Sequence, residues 1–389
     1  MEIAFWVSIA VLFYCYLGYG LLLFVINRVK NTFSSPADKN TSGLPAVTLV
    51  VAAYNEESVI PQKIKNCVEI DYPPHLLNVI FVTDGSTDYS KDLIRQHDFI
   101  TLLHQPERSG KLPALKRAMQ HVNTPLVVFS DANSMLNPGS IRAMVPHFAN
   151  ENVGGVAGEK KILKTGRSLI GEAEGLYWKY ESFMKKQDAD FNTVVGAVGE
   201  LFCIRTELFH PFDENLILDD FLFSIHICSS GYKIEYEPRA FSSETPSLTL
   251  ADEEKRRVRI AAGAYQAVSY LKQHLNILKY PWLSVQYFSG RLLRWVVCPV
   301  LIMMALVTNI GLVLNCQRDI FYYLLLAQGL FYLLALTGWI FMGTGRRMGI
   351  LNIPFYFVFM NLCLVKGFFN YMRGRQSIVW ERSVREAFE

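Results

Sequence analysis

Four long apolar runs stand out along a chain that otherwise mixes polar and apolar positions. Residues 3–26, 295–317 and 320–345 contain no charged side chain. A helix needs about 20 apolar residues to cross the ~30 Å hydrocarbon layer of a bilayer, so each of these runs is long enough to span it. The fourth run, residues 348–365, is shorter and contains Pro354. The pattern therefore predicts three transmembrane helices and a fourth segment that either spans the membrane or lies at its surface.

Basic residues at the ends of these runs indicate the orientation of the chain. Arg28 and Lys30 follow the first run, and positive charge beside a span favours the cytoplasmic side. The region between the first and second runs is therefore predicted to be cytoplasmic, in a multi-pass protein of the cell membrane. Arg346 and Arg347, after the third run, agree with this orientation. A fourth full span would carry Arg373 and later basic residues outside, which leaves the side of the C-terminal tail open.

Between the first two runs, short apolar segments alternate with amphipathic ones. The segments at 47–55, 78–88, 101–105 and 126–133 have the length and composition of buried strands. Strands that alternate with helices predict an α/β fold with a doubly wound, mostly parallel sheet. In such a sheet, ligands bind beyond the carboxyl ends of the strands. Short polar side chains occupy three of those ends: Tyr54, Asn55, Glu56, Asp84, Ser86, Asp88, Asp131 and Asn133.

The second half of this region carries charged and aromatic residues at helical spacing. One long amphipathic helix is predicted over residues 166–186, and a glycine-rich turn followed by a strand over 196–209.

Residues 265–290 combine aromatic and basic side chains just before the second apolar run. Trp282 and Tyr287 stand near Lys279, and Arg291 and Arg294 follow them. Because such mixtures prefer the membrane interface, this segment is predicted to lie along the cytoplasmic surface of the bilayer.

Composition and charge narrow the classes of function. Of the 389 residues, 51% are hydrophobic and 19% are charged, below the ~25% charged residues of ordinary soluble chains. The net charge of +3 gives no case for a nucleic-acid partner. Neither G-x-G-x-x-G nor G-x-x-x-x-G-K-[ST] follows the strands, so a dinucleotide or P-loop site is disfavoured. Carboxylates at the strand ends suggest instead a nucleotide bound through a divalent metal, because hard cations prefer oxygen ligands.

Five motifs, in a fixed order, give the chain a family resemblance. They are VVAAYNEE, FVTDGSTD, ERSGK, FSDAN and LDDFLF, and together they resemble the membrane-bound family 2 glycosyltransferases, relatives of cellulose, chitin and hyaluronan synthases. The resemblance covers about residues 47–266. It implies a GT-A-like catalytic domain, a UDP-sugar donor and a Mg²⁺ or Mn²⁺ cofactor.

The resemblance also assigns donor and metal residues. It implies that Asp84 accepts from the uracil N3–H, that Lys111 places a cation near the donor, and that Asp131 and Asn133 hold the metal. Asn133 stands where the family has a second Asp, and an amide oxygen still ligates a hard cation but contributes less charge. The implied donor-binding residues are Ala52, Tyr54, Asn55, Glu56, Asp84, Lys111, Arg256 and Arg259.

Asp219 and Asp220 occupy the family's catalytic position at a helix start. Inverting transfer needs a base that takes the proton of the acceptor hydroxyl, and two adjacent carboxylates repel, which raises one pKa towards a useful range. Asp220, the second acid, is assigned as this base. Arg256 and Arg259 lie three residues apart on one helix face, where they suit the charge of a leaving diphosphate.

Ile260 departs from the family pattern. Processive members have Gln-x-x-Arg-Trp here, and this chain, aligned on Arg259, has Arg256 for the Gln and Ile260 for the Trp. Ile has no aromatic face to hold a growing glycan, so this departure favours the transfer of one or a few sugars to each acceptor. The arrangement of one span before the catalytic domain and a helical cluster after it favours instead the synthesis of a secreted polysaccharide. The aromatic residues that could substitute are Tyr177, Trp178 and Tyr265.

Two hypotheses from different classes follow. The first is a membrane-embedded inverting glycosyltransferase that transfers a sugar from a UDP-sugar to a glycan or lipid-linked acceptor. It would act in polysaccharide or glycolipid biosynthesis, and its further partners would be membrane lipids and an accessory export subunit. The second is a non-catalytic membrane scaffold or transporter-associated protein with a glycosyltransferase-like body. The predicted organisation is a transmembrane helix (1–28), a linker (29–46), a cytoplasmic glycosyltransferase domain (47–265), interfacial amphipathic helices (266–294), C-terminal transmembrane helices (295–372) and a tail (373–389).

Overall fold

The structure, a computed structural model, describes residues 1–32, 43–163, 169–316, 318–344 and 349–375. Most of the predicted linker, the start of the predicted helix at 166–186, Arg346, Arg347 and the tail from residue 376 lie outside these ranges. Within them, one eight-stranded sheet forms the body of the protein. Its strands are β1 (Val47–Ala53), β2 (Leu77–Asp84), β3 (Ile100–Gln105), β4 (Leu126–Asp131), β5 (Met135–Leu136), β6 (Val153–Ile162), β7 (Phe202–Arg205) and β8 (Lys233–Glu244).

The strands lie in the order β3-β2-β1-β4-β7-β6-β8-β5. β1 pairs in parallel with β2 and β4, and β2 with β3, which is the parallel arrangement that the sequence predicts. β7 is antiparallel to both β4 and β6, whereas β6 and β8 are parallel to each other. The body is therefore a mixed α/β sheet. The sequence pattern does not predict β6 and β8, because charged residues such as Lys160 and Glu244 interrupt their apolar pattern.

Helices cover both faces of the sheet and form the membrane part. The α-helices of the described residues are α1 (Glu2–Phe13), α2 (Tyr19–Thr32), α3 (Ile60–Val68), α4 (Ser90–Arg95), α5 (Lys111–Met119), α6 (Ser140–Met144), α7 (Leu169–Phe191), α8 (Asp219–Ser229), α9 (Leu250–Tyr270), α10 (Pro281–Tyr287), α11 (Cys298–Asn315), α12 (Asp319–Thr344) and α13 (Asn352–Met372). Two π-helical segments, Tyr14–Gly18 and Phe288–Val297, join α1 to α2 and α10 to α11. Short 3-10 helices are formed by Pro74–Leu76, Val145–Ala149, Thr206–Leu208, Lys272–Leu275 and Gly349–Leu351.

The apolar run of β1 is continuous because both faces of this strand are covered. All seven of its residues are buried. Val50 and Ala52 belong to the core that includes Leu112 of α5, whereas Leu49 and its same-face neighbours belong to the core that includes Ile60 of α3. Strands that are buried on both faces lose the alternation of polar and apolar residues, which is why the sequence shows unbroken apolar runs.

Four helical segments among the described residues are long and apolar enough to cross a membrane. They are Glu2–Lys30, Pro281–Asn315, Asp319–Met342 and Asn352–Met372. The fourth apolar run of the sequence therefore has the length of a full span. The second segment begins at Pro281, so the helix that contains residues 295–317 extends back through the region expected at the membrane surface.

Buried ion pairs attach the membrane helices to the body. Arg291 and Arg294 are buried, and they contact Glu181 of α7 at 2.9 and 2.7 Å. A carboxylate 110 positions before Arg291 in the chain thus neutralises their charge, and the placement of this segment at the bilayer surface stays a prediction. In the first span, the Tyr19 hydroxyl donates to Asp188 at 2.6 Å. Helix α7 is thus held against two of the four apolar segments.

Candidate active site

A cavity of about 1080 Å³ opens where the carboxyl ends of β1 and β4 face the membrane helices. Helices α7, α9 and α13 contribute its far wall. Ten of the twelve residues that the sequence assigns to the site line this cavity: Ala52, Tyr54, Glu56, Lys111, Asp131, Asn133, Asp219, Asp220, Arg256 and Arg259. The other two do not line it: Asp84 ends β2, and Asn55 lies two residues after the end of β1.

Asp84 shapes the loop that precedes α5. Its side chain is fully buried, and its two carboxylate oxygens accept from the backbone N–H groups of Ser109 and Gly110 at 3.0 and 2.7 Å. Gly110 has a φ of +106°, a conformation that residues with a side chain rarely adopt. These bonds fix the direction in which α5 starts, and α5 begins with Lys111.

Asn55 shapes the neighbouring turn. Its φ of 51° is in the left-handed region, and its side-chain oxygen accepts from the backbone N–H of Thr87 at 2.8 Å. The hydrogen bond offsets the cost of that backbone conformation, which Asn tolerates better than most residues. Next to it, the Arg108 guanidinium carbon lies 3.4 Å from the centre of the Tyr54 ring. This cation–π contact presents a flat, cationic surface beside the end of β1. Arg108 lies in the ERSGK motif, yet the sequence alone does not single it out.

Lys111 is held between carboxylates at the centre of the cavity. Its Nζ lies 2.9 Å from Asp131 Oδ1 and 3.7 Å from Asp219 Oδ2. Although burial opposes the charged form, Asp131 and Asp219 raise the pKa of Lys111 above its usual range. The amine therefore stays protonated, and its positive charge reaches both the end of β4 and the start of α8.

Two acids that the sequence does not single out lie beside Asp131. Carboxylate oxygens of Asp131, Glu200 and Glu244 are all within 4.8 Å of one another. The buried Lys160 pairs with Glu200 and lies 2.7 Å from Glu244, and Ser134 donates to Glu244 at 2.6 Å. Despite burial, Lys160 lowers the pKa of Glu200, so this carboxylate stays charged. Three carboxylates with Asn133 nearby form an oxygen-rich set that fits Mg²⁺ or Mn²⁺.

Asp220 has the environment of a base that works near neutral pH. It lies in the first turn of α8, and its two oxygens accept from the N–H groups of Gly199 and Phe221 at 3.0 and 2.7 Å. Burial, and then the negative charge of Asp219, raise the pKa of Asp220 to about 7, while Lys111 opposes the shift. A carboxylate with this pKa can exchange a proton with a substrate at physiological pH.

The two arginines of α9 differ in their surroundings. Arg256 lines the cavity but pairs with Glu174 of α7 and with Glu253, 2.9 Å away. Arg259, one turn further on, lines the same cavity, and the charges of Asp219 and Asp131 act on it. Arg259 is therefore the more available cation, and Arg256 also belongs to the network that joins α7 to α9.

Aromatic side chains also line the cavity. Tyr177, Trp178 and Trp295 contribute to its wall, and the Nζ of Lys160 lies 4.9 Å from the Trp178 ring centre. Tyr265 is instead buried outside the cavity, where its hydroxyl donates to the backbone oxygen of Trp295 at 2.8 Å. Three residues are candidates to replace the aromatic side chain that Ile260 lacks, and two of them, Tyr177 and Trp178, lie at the site. Trp295 is an additional aromatic residue there.

Comparisons with known proteins agree with this geometry. A family model described as glycosyl transferase family 2 matches residues 48–211. Poly-beta-1,6-N-acetyl-D-glucosamine synthase of Staphylococcus aureus is 26% identical over 264 residues, 64% of this chain and 62% of that protein. The probable glycosyltransferase YdaM of Bacillus subtilis is 25% identical over 263 residues, 61% of this chain and 60% of that protein. The chain thus spans less than two thirds of the length of either relative.

A solved structure shares the fold over nearly the whole chain. It is the mannosyltransferase PcManGT from Pyrobaculum calidifontis in complex with GDP-Man and Mn²⁺, with a TM-score of 0.68 and 21% sequence identity. The match covers 96% of this chain and 99% of that one. The likeness therefore includes the apolar helices as well as the mixed sheet.

Proposed function

We propose that the chain is a membrane-bound glycosyltransferase whose catalytic domain includes the family 2 match at residues 48–211, and that it transfers a sugar from a nucleotide sugar to an acceptor hydroxyl with inversion. One observation carries this proposal: Asp220, with a pKa of about 7, shares a single cavity with Asp131, Lys111 and Arg259. The arrangement combines a base for the acceptor with positive charge for a leaving diphosphate. It also disfavours a non-catalytic scaffold, which has no need of these four residues in one cavity.

The reaction is a single displacement at the anomeric carbon. The acceptor oxygen forms a bond to this carbon while the bond from carbon to the diphosphate oxygen breaks, and its electron pair leaves with the nucleoside diphosphate. The proton of the acceptor hydroxyl passes to Asp220. Attack from the face opposite the leaving group inverts the configuration. General base catalysis of this kind contributes ~10²–10⁴-fold to the rate.

Positive charge must stabilise the negative charge that develops on the diphosphate as it leaves. Lys111 and Arg259 line the cavity on the sides of Asp131 and Asp219, where they stabilise this developing charge. Asp131, with Asn133, Glu200 and Glu244 beside it, would hold the divalent ion. Such an ion, Mg²⁺ or Mn²⁺, supplies further charge to the diphosphate oxygens. The Mn²⁺ in the complex of the Pyrobaculum mannosyltransferase supports this assignment.

We infer that the donor is a UDP-sugar. Asp84 uses one lone pair of each carboxylate oxygen for Ser109 and Gly110, which leaves further acceptor capacity for the N3–H of uracil. Tyr54 and Arg108 form a surface on which a base can stack. A GDP-sugar is the competing donor, because the Pyrobaculum mannosyltransferase was solved in complex with GDP-Man.

The catalytic body is proposed to lie on the cytoplasmic side of the cell membrane. Arg28 and Lys30 directly follow the apolar core of the first span, and nucleotide sugars are made in the cytoplasm. The product is a glycan or glycolipid, which connects the protein to polysaccharide or glycolipid biosynthesis. An accessory export subunit becomes a partner where the product is a secreted polymer.

The test is a donor screen with purified protein in nanodiscs. UDP- and GDP-sugars are supplied with Mg²⁺ or Mn²⁺, and nucleotide release and product mass are measured together, with Asp220→Asn as the inactive control. Release of UDP by the wild type, and at least tenfold less by the variant, supports the proposal. Release of GDP alone overturns the donor assignment. Absence of release from every donor, with or without acceptors, favours the scaffold hypothesis.

A further inference from the structure

A second cavity, of about 460 Å³, lies between the membrane helices, and none of the residues assigned above to the reaction lines it. The first apolar segment, α7, α9 and α13 surround it. Its walls are mostly apolar: Leu17, Leu176, Ala264, Phe357, Met360 and Leu364 all contribute. The volume falls within the ~300–1,000 Å³ of typical small-ligand sites. An apolar cavity of this size among membrane helices suits the chain of a lipid.

The two cavities adjoin. Tyr177, Arg257, Ile260 and Trp295 line both of them. Ile260 therefore stands at the boundary between the catalytic cavity and the apolar one. An aliphatic side chain at this point extends the apolar surface towards the active site.

Helix α13 changes from apolar to basic along its length. Its earlier turns line the apolar cavity through Phe357 and Leu364, and its last turns line the catalytic cavity through Lys366 and Arg373. At 1.5 Å of rise per residue, Arg373 lies roughly 14 Å beyond Leu364 along the helix axis. Arg375 also lines the catalytic cavity. This order of residues along α13, first apolar and then basic, matches a ligand that has an apolar chain at one end and an anionic group nearer the active site.

We propose, on the basis of the glycosyltransferase function above, that the acceptor is a lipid-linked sugar whose chain occupies the second cavity. Its linking phosphate contacts Arg373 and Arg375, and its sugar hydroxyl reaches Asp220. The hydroxyl oxygen bonds to the anomeric carbon of the donor, the nucleoside diphosphate leaves, and the proton passes to Asp220. A free polysaccharide fits less well, because a glycan needs polar partners along its path.

Binding of hexadecyl phosphate tests the cavity without any turnover. Native mass spectrometry of the full chain compares the wild type with Leu176→Trp, which places a larger side chain at the apolar cavity, and with Arg373→Gln. Leu176 is 45% exposed, so the substitution is tolerated by the fold. We expect the affinity for hexadecyl phosphate to fall at least tenfold in Leu176→Trp and about fivefold in Arg373→Gln. Hexadecanol has no phosphate, so Arg373→Gln should leave its binding unaffected.

Two matched controls separate the cavity from the lipid-facing surface. Leu333→Trp makes the same change on α12, at a side chain that is 59% exposed and away from both cavities. Arg318→Gln removes a basic group that pairs with Glu2 at 2.8 Å instead of lining a cavity. Both controls should bind hexadecyl phosphate as the wild type does. Equal binding by Leu176→Trp and Leu333→Trp would mean adsorption to the outer surface and would overturn the proposal.

Turnover distinguishes failure of this inference from failure of the proposed function. Dodecyl glycosides and the matching methyl glycosides are offered as acceptors, with nucleotide release into water recorded in parallel. The inference predicts at least tenfold higher kcat/KM for the dodecyl series in the wild type and a loss of that preference in Leu176→Trp. Equal use of both series would overturn the lipid acceptor while the glycosyltransferase function stands. A protein that binds hexadecyl phosphate but releases no nucleotide from any donor would contradict the proposed function alone.

Discussion

The raised pKa of Asp220 predicts both the effect of a mutation and the shape of a pH profile. If Asp220 is the base, Asp220→Asn lowers the rate of transfer by ~10²–10⁴-fold, which corresponds to about 3–5 kcal/mol of activation free energy. In the wild type the base must be unprotonated, and its pKa is about 7. The value of kcat/KM should therefore be constant above this pH and fall tenfold per pH unit below it.

The structure also indicates what the substitution costs apart from catalysis. Both oxygens of Asp220 accept from backbone N–H groups, of Gly199 and Phe221. An asparagine can offer its oxygen to only one of them, and an N–H group left without a partner costs about 1–3 kcal/mol. That cost appears in stability, so thermal unfolding and donor affinity are measured beside the rate. Asp213→Asn, at an exposed turn, is the matched control.

Asp219 provides an independent check of the same reasoning. Its charge is the second cause, after burial, of the raised pKa of Asp220. Asp219→Asn removes this repulsion, so the pKa of Asp220 falls and the acidic limb of the profile moves to lower pH. The reasoning is refuted if Asp220→Asn retains more than about a tenth of the wild-type rate, or if Asp219→Asn shifts the limb upwards.

Three further predictions follow from other contacts. Asp131→Ala should abolish transfer, and removal of divalent ions with a chelator should do the same until Mg²⁺ or Mn²⁺ is restored; full activity in the chelator would contradict the metal assignment. Glu181→Gln leaves the buried Arg291 and Arg294 without their carboxylate and should lower the melting temperature. The control, Glu159→Gln, removes a carboxylate from a long, partly exposed ion pair with Lys161 and should lower the melting temperature far less. Products should be short at low enzyme-to-acceptor ratio, because Ile260 offers no aromatic face; early high-mass polymer with most acceptor unused would refute this.

The parallel half of the sheet could be predicted because each of its strands has a recognisable pattern in its own short stretch of sequence. A strand buried on both faces needs an unbroken apolar run, and β1, β2 and β4 have one. The acids and amides that end these runs then meet at one edge of the sheet by geometry alone. The family resemblance added the order of the motifs, and a family model described as glycosyl transferase family 2 matches residues 48–211.

Contacts between distant parts of the chain could not be predicted in this way. Glu200 and Glu244 lie beside Asp131 only because β7, β6 and β8 bring three separate segments together. Nothing local marks Lys160 as a buried partner rather than a surface lysine. Arg291 and Arg294 show the same limit, since nothing near them in the sequence reveals that Glu181, 110 positions before Arg291, is their buried partner.

The membrane helices and the catalytic residues form one unit rather than an anchor and an enzyme. Gly367 of α13 packs so closely on α9 that an added Cβ would lie 2.4 Å from the Ala261 side chain. Arg257, one turn earlier on α9, donates to the hydroxyl of Tyr356 on α13 at 3.0 Å. Because Arg259 is carried on the same helix, its position near Asp219 and Asp131 depends on how α13 packs. The membrane helices therefore help to shape the catalytic cavity, which suits the lipid-linked acceptor proposed above.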